Sequence, residues 1–132
     1  MKIAVDTNVL LRAAVRDDPG QTKAAELALR TAELVAVPIP ALCEFVWVMR
    51  SVFKTRGEQI AHSIRSLIDS PNVITNRSAV EAGLAFLEAG GDFADGIIAY
   101  EGHWLGAEEF VSFDKEAVSL LKSQGKRARL LR

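Results

Sequence analysis

Four acidic residues stand among apolar neighbours, where carboxylates are uncommon. Asp6 directly follows Ile3-Ala4-Val5, and Glu44 interrupts an otherwise apolar run from Ala41 to Met49. Asp95 lies between Phe93-Ala94 and Gly96-Ile97-Ile98-Ala99, and Asp114 follows Phe110-Val111-Ser112-Phe113. An unpaired carboxylate removed from water is destabilising or takes up a proton. Four such residues call for a shared cause, and a hard divalent cation with oxygen ligands, Mg²⁺ or Mn²⁺, supplies one. Zinc fits poorly, because the chain offers only His62, His103 and Cys43.

Each acid also has a plain structural reading. Asp6 heads Asp6-Thr7-Asn8 and can cap a following helix, and Asp114 can do the same. Glu44 can pair with a buried arginine. Asp92, three residues before Asp95 on the same helical face, is either another cap or a fifth acid of the site. Thr7, Asn8 and Ser112 flank the acids, where they either cap locally or hold water and orient carboxylates. Phe45, Trp47 and Trp104 are read as core or interface residues ahead of base-stacking ones.

The elements that must position these residues alternate. Short β-rich runs are expected at Lys2–Val5, Leu34–Val37, Val73–Thr75, Phe110–Phe113 and Ala128–Leu131. Apolar spacing predicts helices from Asn8 to about Val15, Gln21 to Arg30, Pro40 to about Phe53 and Glu58 to about Ser70. Further helices are expected from Ser78, which pairs with Glu81 in a capping-box pattern, to Ala89, from Asp92 to about Trp104, and from Asp114 to Gln124. Asp17-Asp18-Pro19-Gly20 reads as a turn, and Gly57 as a helix breaker. Alternation of this kind predicts an α/β/α sandwich on a mainly parallel central sheet of four to five strands. Ligands of such sheets gather beyond the carboxyl ends of the strands, where Asp6 and Asp114 would lie.

The chain has 132 residues, 49% hydrophobic and 25% charged, which suits one globular domain over 1–132. No apolar run is long enough to span a bilayer, and Asp6 breaks any signal-peptide core, so a cytoplasmic location is expected. A single cysteine excludes an internal disulfide and reads as a core residue. The net charge of −1 does not announce a nucleic-acid binder. Basic residues do cluster, however, at Arg50, Lys54 and Arg56 and again at Lys122, Lys126, Arg127, Arg129 and Arg132. These are either solvated helix ends or a phosphate-contacting rim.

Taken in order, Val5-Asp6-Thr7-Asn8-Val9-Leu10-Leu11, Glu44 in its apolar helix, Asp92-Phe93-Ala94-Asp95-Gly96-Ile97-Ile98-Ala99 and Ser112-Phe113-Asp114-Lys115 resemble a PIN domain. Within that family the chain is most similar to VapC-type toxins of bacterial toxin–antitoxin pairs. The resemblance implies a Mg²⁺- or Mn²⁺-dependent endoribonuclease whose acidic site is Asp6, Glu44, Asp95 and Asp114. It also implies an RNA substrate, commonly transfer RNA, a VapB-type antitoxin partner and a homodimer. Gly96 departs from the family's usual larger residue, and Asp92 adds an acid that many relatives lack.

Two other classes of protein place acids at strand ends. A phosphoryl-transfer enzyme with a nucleophilic aspartate wants a second acid two residues after the first, where this chain has Asn8. A receiver-type signalling domain wants adjacent acids after the first strand, which Ala4-Val5-Asp6-Thr7 lacks.

Overall fold

The computed structural model describes residues 1–132. The chain divides into two compact units, Met1–Arg77 and Ser78–Arg132. No helix is long and apolar enough to cross a membrane.

The first unit contains β1 (Lys2–Ala4), α1 (Thr7–Ala14), α2 (Pro19–Thr31), β2 (Leu34–Ala36), α3 (Ile39–Ser51), α4 (Gly57–Ile68) and β3 (Val73–Ile74). Its strands pair in parallel in the order β1-β2-β3, with Ile3 opposite Val35 and Val35 opposite Val73. Val35 is fully buried, as the middle strand of a covered parallel sheet requires. Leu42, Phe45, Val46, Ile60, Ile64 and Ile68 complete the core from one face each of α3 and α4. Polar side chains tie the connections down. The buried Thr22 hydroxyl donates to the Arg12 carbonyl at 2.9 Å. The Asn72 amide donates to the carbonyls of Leu29 and Ala32 at 2.8 and 3.0 Å.

The second unit carries α5 (Arg77–Glu88, whose first residue closes the first unit), α6 (Phe93–Trp104), β4 (Phe110–Ser112), α7 (Lys115–Ser123) and β5 (Ala128–Leu130). β4 and β5 are parallel, with Phe110 opposite Ala128. Phe86, Ala117, Val118, Leu121 and Ala128 form a buried cluster, with Ala99, Phe110, Leu120 and Leu130 packed on it. Helices α5 and α6 approach closely through two glycines. A Cβ on Gly83 would lie 2.7 Å from the Phe93 ring, and one on Gly96 would lie 2.5 Å from the Ala82 carbonyl oxygen. That second distance explains the small residue at 96, because backbone of the neighbouring helix occupies the space a side chain would need.

All five expected strands form, and every strand pair is parallel. At three places the boundary residues play a different part from the one expected. Asp18 and Pro19 do not close a turn; Asp18 caps α2 by accepting from the Gln21 amide at 3.1 Å, and Pro19 opens the helix, where its missing amide hydrogen costs nothing. Gly57 does not break α3 but begins α4. The chain turns earlier, at Lys54, which adopts a positive φ of 54°. Ser78 is not the cap of α5, because the helix already begins at Arg77.

Candidate active site

In the first unit, Asp6 leaves β1 at its carboxyl end and caps α1, where its Oδ1 accepts from the Val9 amide at 3.1 Å. The carboxylate is exposed, which corrects the expectation of a buried acid. Thr7, half-buried, and Asn8, exposed, form the first two residues of α1.

Glu44 is also exposed. The apolar run around it is not buried on all sides: Pro40, Glu44 and Trp47 form an outward stripe at helical spacing, while Ala41, Leu42, Phe45, Val46 and Met49 face inward. Trp47, 66% exposed, supplies the apolar character that made the run look like a core helix. No ion pair engages Glu44, so pairing with a buried arginine does not account for it. Phe45 belongs to the core, whereas Trp104 is exposed like Trp47. Cys43 is only half-buried.

In the second unit, Asp92 and Asp114 lie near enough to Asp95 for their charges to act on it. Asp92 caps α6 through Oδ1, which accepts from the Ala94 amide at 3.0 Å. Asp95 follows one turn later and is half-buried. Asp114 stands past the carboxyl end of β4 and caps α7, its Oδ1 accepting from the amides of Glu116 and Ala117 at 2.9 and 3.2 Å. The Ser112 hydroxyl accepts from the Asp114 amide at 2.9 Å and so fixes the backbone from which this carboxylate projects. Asp92 and Asp114 are exposed; of the expected buried acids, only Asp95 is substantially withdrawn from water.

The charge on Asp95 is electrostatically disfavoured. Burial pushes its carboxyl pKa above the ordinary 3.8, and the neighbouring charges of Asp92 and Asp114 push it further the same way. No basic group offsets them among these causes. An all-oxygen set of this kind suits a hard divalent cation, whose charge would reverse the penalty on ionised Asp95. No three Asp, Glu, His or Cys side chains already converge as a ligand shell. One oxygen each of Asp6, Asp92 and Asp114 is occupied with helix amides.

A stability effect follows. The folded protein binds the Asp95 proton more tightly than the unfolded chain does, so ionisation of Asp95 disfavours the fold. The penalty is absent below the unfolded value and complete above the folded one. Asp95→Asn is therefore expected to raise Tm at neutral pH in metal-free buffer, with a gain that shrinks as the pH falls toward about 4. Thermal melts across that range check this; an unchanged Tm at neutral pH, or a gain that grows on acidification, would refute it.

The sequence pattern predicts Phe113 as the last residue of a strand. It lies just beyond β4 and is 74% exposed beside Asp114. Alternation offered a signal: Phe110 and Ser112 are half-buried while Val111 and Phe113 face out. An outward aromatic next to a site acid is the detectable feature.

The chain has no match among curated proteins. The family model described as PIN domain matches residues 3–120 and runs through the division between the two units. Asp6, Glu44, Asp92, Asp95 and Asp114 all fall inside the matched span. With its helices, its parallel strands and that match, the chain belongs to the PIN domain family, which has an α/β/α fold and whose members are generally nucleases.

Proposed function

We propose that this chain is a metal-dependent endoribonuclease, the VapC-type toxin of a toxin–antitoxin pair, cutting RNA to inhibit translation and growth. Transfer RNA is the expected target. In this reading residues 1–132 form a single PIN domain, and Asp6 and Glu44 join Asp95 and Asp114 in one acidic site. The observation that carries it is the electrostatics of Asp95, an acid whose charge is penalised by burial and by two further acids. Membership of a family of nucleases supports the same reading.

The residues divide the work by position. Asp6 and Asp95 are assigned as inner ligands of Mg²⁺ or Mn²⁺. Glu44 and Asp114 either complete the ligand set or accept a proton from the attacking water. Ser112 orients Asp114 through its amide, and Thr7, Asn8 and Asp92 are assigned supporting roles. The cation, when bound, supplies charge that stabilises the phosphoryl transition state and lowers the pKa of water. Cleavage of RNA that persists in excess EDTA would overturn the reading.

A partner reading accompanies it. Leu10, Ala13 and Ala14 of α1 line an apolar hollow of about 360 Å³ with Leu29, Phe45 and Leu67. We assign this hollow to an apolar segment of a VapB-type antitoxin, read as spaced hydrophobic anchors. An antitoxin arginine is assigned to the acidic site, where bidentate hydrogen bonds to carboxylates compete with metal. The exposed Trp47, Val52, Ile98, Trp104 and Leu105 support a homodimer that covers apolar surface. Light scattering of the free chain and of its complex from the native host reads both assemblies. A monomer at tens of micromolar counts against the dimer (roughly the range for a specific interface); a complex with unchanged Mn²⁺ affinity counts against the competing arginine.

A further inference from the structure

We propose that the hollow beside Asp114 holds one nucleotide of a single-stranded RNA substrate, its base against Phe113 and its phosphate near Lys115 and Arg132. The inference rests on the ribonuclease reading and names a subsite for it. The hollow measures about 440 Å³ and is lined by Phe113, Lys115, Leu130, Leu131 and Arg132. Its two walls are held together by backbone. Beyond the paired residues of β4 and β5, the Leu131 amide donates to the Ser112 carbonyl at 2.8 Å, which fixes the chain after β5 alongside Phe113.

Chemistry selects the occupant. Phe113 leaves most of an aromatic ring in water, where a stacked base would recover the lost burial. Lys115 and Arg132 are exposed and engaged in no ion pair, whereas Arg129 is already committed to Glu109 at 3.0 Å. The amides of Glu116 and Ala117 are taken by Asp114, so a phosphate here is met by side-chain cations and not by the end of α7. No Asp or Glu side chain lines the hollow. An aromatic face with two cations beside it is the combination that binds single-stranded nucleic acid regardless of sequence. A second copy of the chain would also cover Phe113, and light scattering separates that occupant from RNA.

The test is fluorescence anisotropy with a labelled single-stranded RNA of about ten nucleotides, in Ca²⁺ to slow cleavage, alongside cleavage assays in Mg²⁺ (a length of the order of known single-strand site sizes). Phe113→Ala is expected to weaken binding about tenfold, and Phe113→Trp to preserve it. Lys115→Ala should weaken binding and flatten the salt dependence by about 0.7 in the log–log slope. An abasic position scanned along the RNA should, at one place, cost the wild type the same factor and cost Phe113→Ala nothing more. If the wild type neither binds nor cuts RNA, subsite and nuclease reading fall together. If the wild type binds and cuts but Phe113→Ala matches it, only the subsite falls. Unchanged RNA binding with lost self-association in light scattering would assign Phe113 to a contact between copies and overturn the subsite.

Discussion

Asp6→Asn should reduce RNA cleavage at least about 100-fold in single-turnover assays with Mg²⁺ or Mn²⁺, because loss of mere outer-shell partners already costs about 10–100-fold at metal sites. The asparagine separates two roles that this residue carries at once. Asp6 caps α1 through the Val9 amide, and asparagine caps a helix as well as aspartate does. The fold should therefore keep nearly wild-type stability while the ligand charge is lost. Asp6→Ala removes the cap too, and should lower stability by about 1 kcal/mol beyond that. Asp114→Asn should behave in the same way, since its Oδ1 caps α7. Full activity in Asp6→Asn would leave the capping role as the whole explanation of that carboxylate.

Gly96→Leu is expected to destabilise the protein by about 3 kcal/mol or more, read as a fall in the urea midpoint, and to lower activity with it. The obstacle is backbone: the first added carbon would meet the Ala82 carbonyl oxygen at 2.5 Å and the Phe86 ring at 3.0 Å. Neither the carbonyl nor the buried ring can swing aside, so α6 must move away from α5. Asp95 is the residue before Gly96 and would move with it. Gly96→Ala should already cost about 1–3 kcal/mol of overpacking, offset by roughly 1 kcal/mol of helix propensity. Gly102 supplies the control on the same helix. Nothing lies within 4 Å of a Cβ there, so Gly102→Ala should stabilise by about 0.5–1 kcal/mol. Equal effects at the two glycines would refute the close approach of α5 and α6.

Local rules carried much of the reading. Period-two and period-3.6 patterns placed the five strands and seven helices within a few residues, because each depends on side chains near in sequence. The misplaced boundaries came from residues with two uses. Pro19 suits a turn or a first helical position, Gly57 a stop or a start, and Ser78 a cap or a first turn. Only hydrogen bonding to the surrounding chain chooses between them.

Residue types and their order were enough to name the acids, the absence of a zinc set and the likeness to PIN domains, since chemistry and spacing are written in the sequence. Burial was not. Glu44 lies in an apolar run yet faces water, because apolar Trp47 shares its outward stripe and hydrophobic content does not say which stripe is covered. Asp95 is pushed toward its neutral form, and that required tertiary packing to withdraw it from water and to set Asp92 and Asp114 near it. Gly96 looked like a departure from the family until α5 proved to run against its Cα. Solvent exposure, charge proximity and helix contact are properties of neighbours distant in sequence, and for that reason only the folded chain decided them.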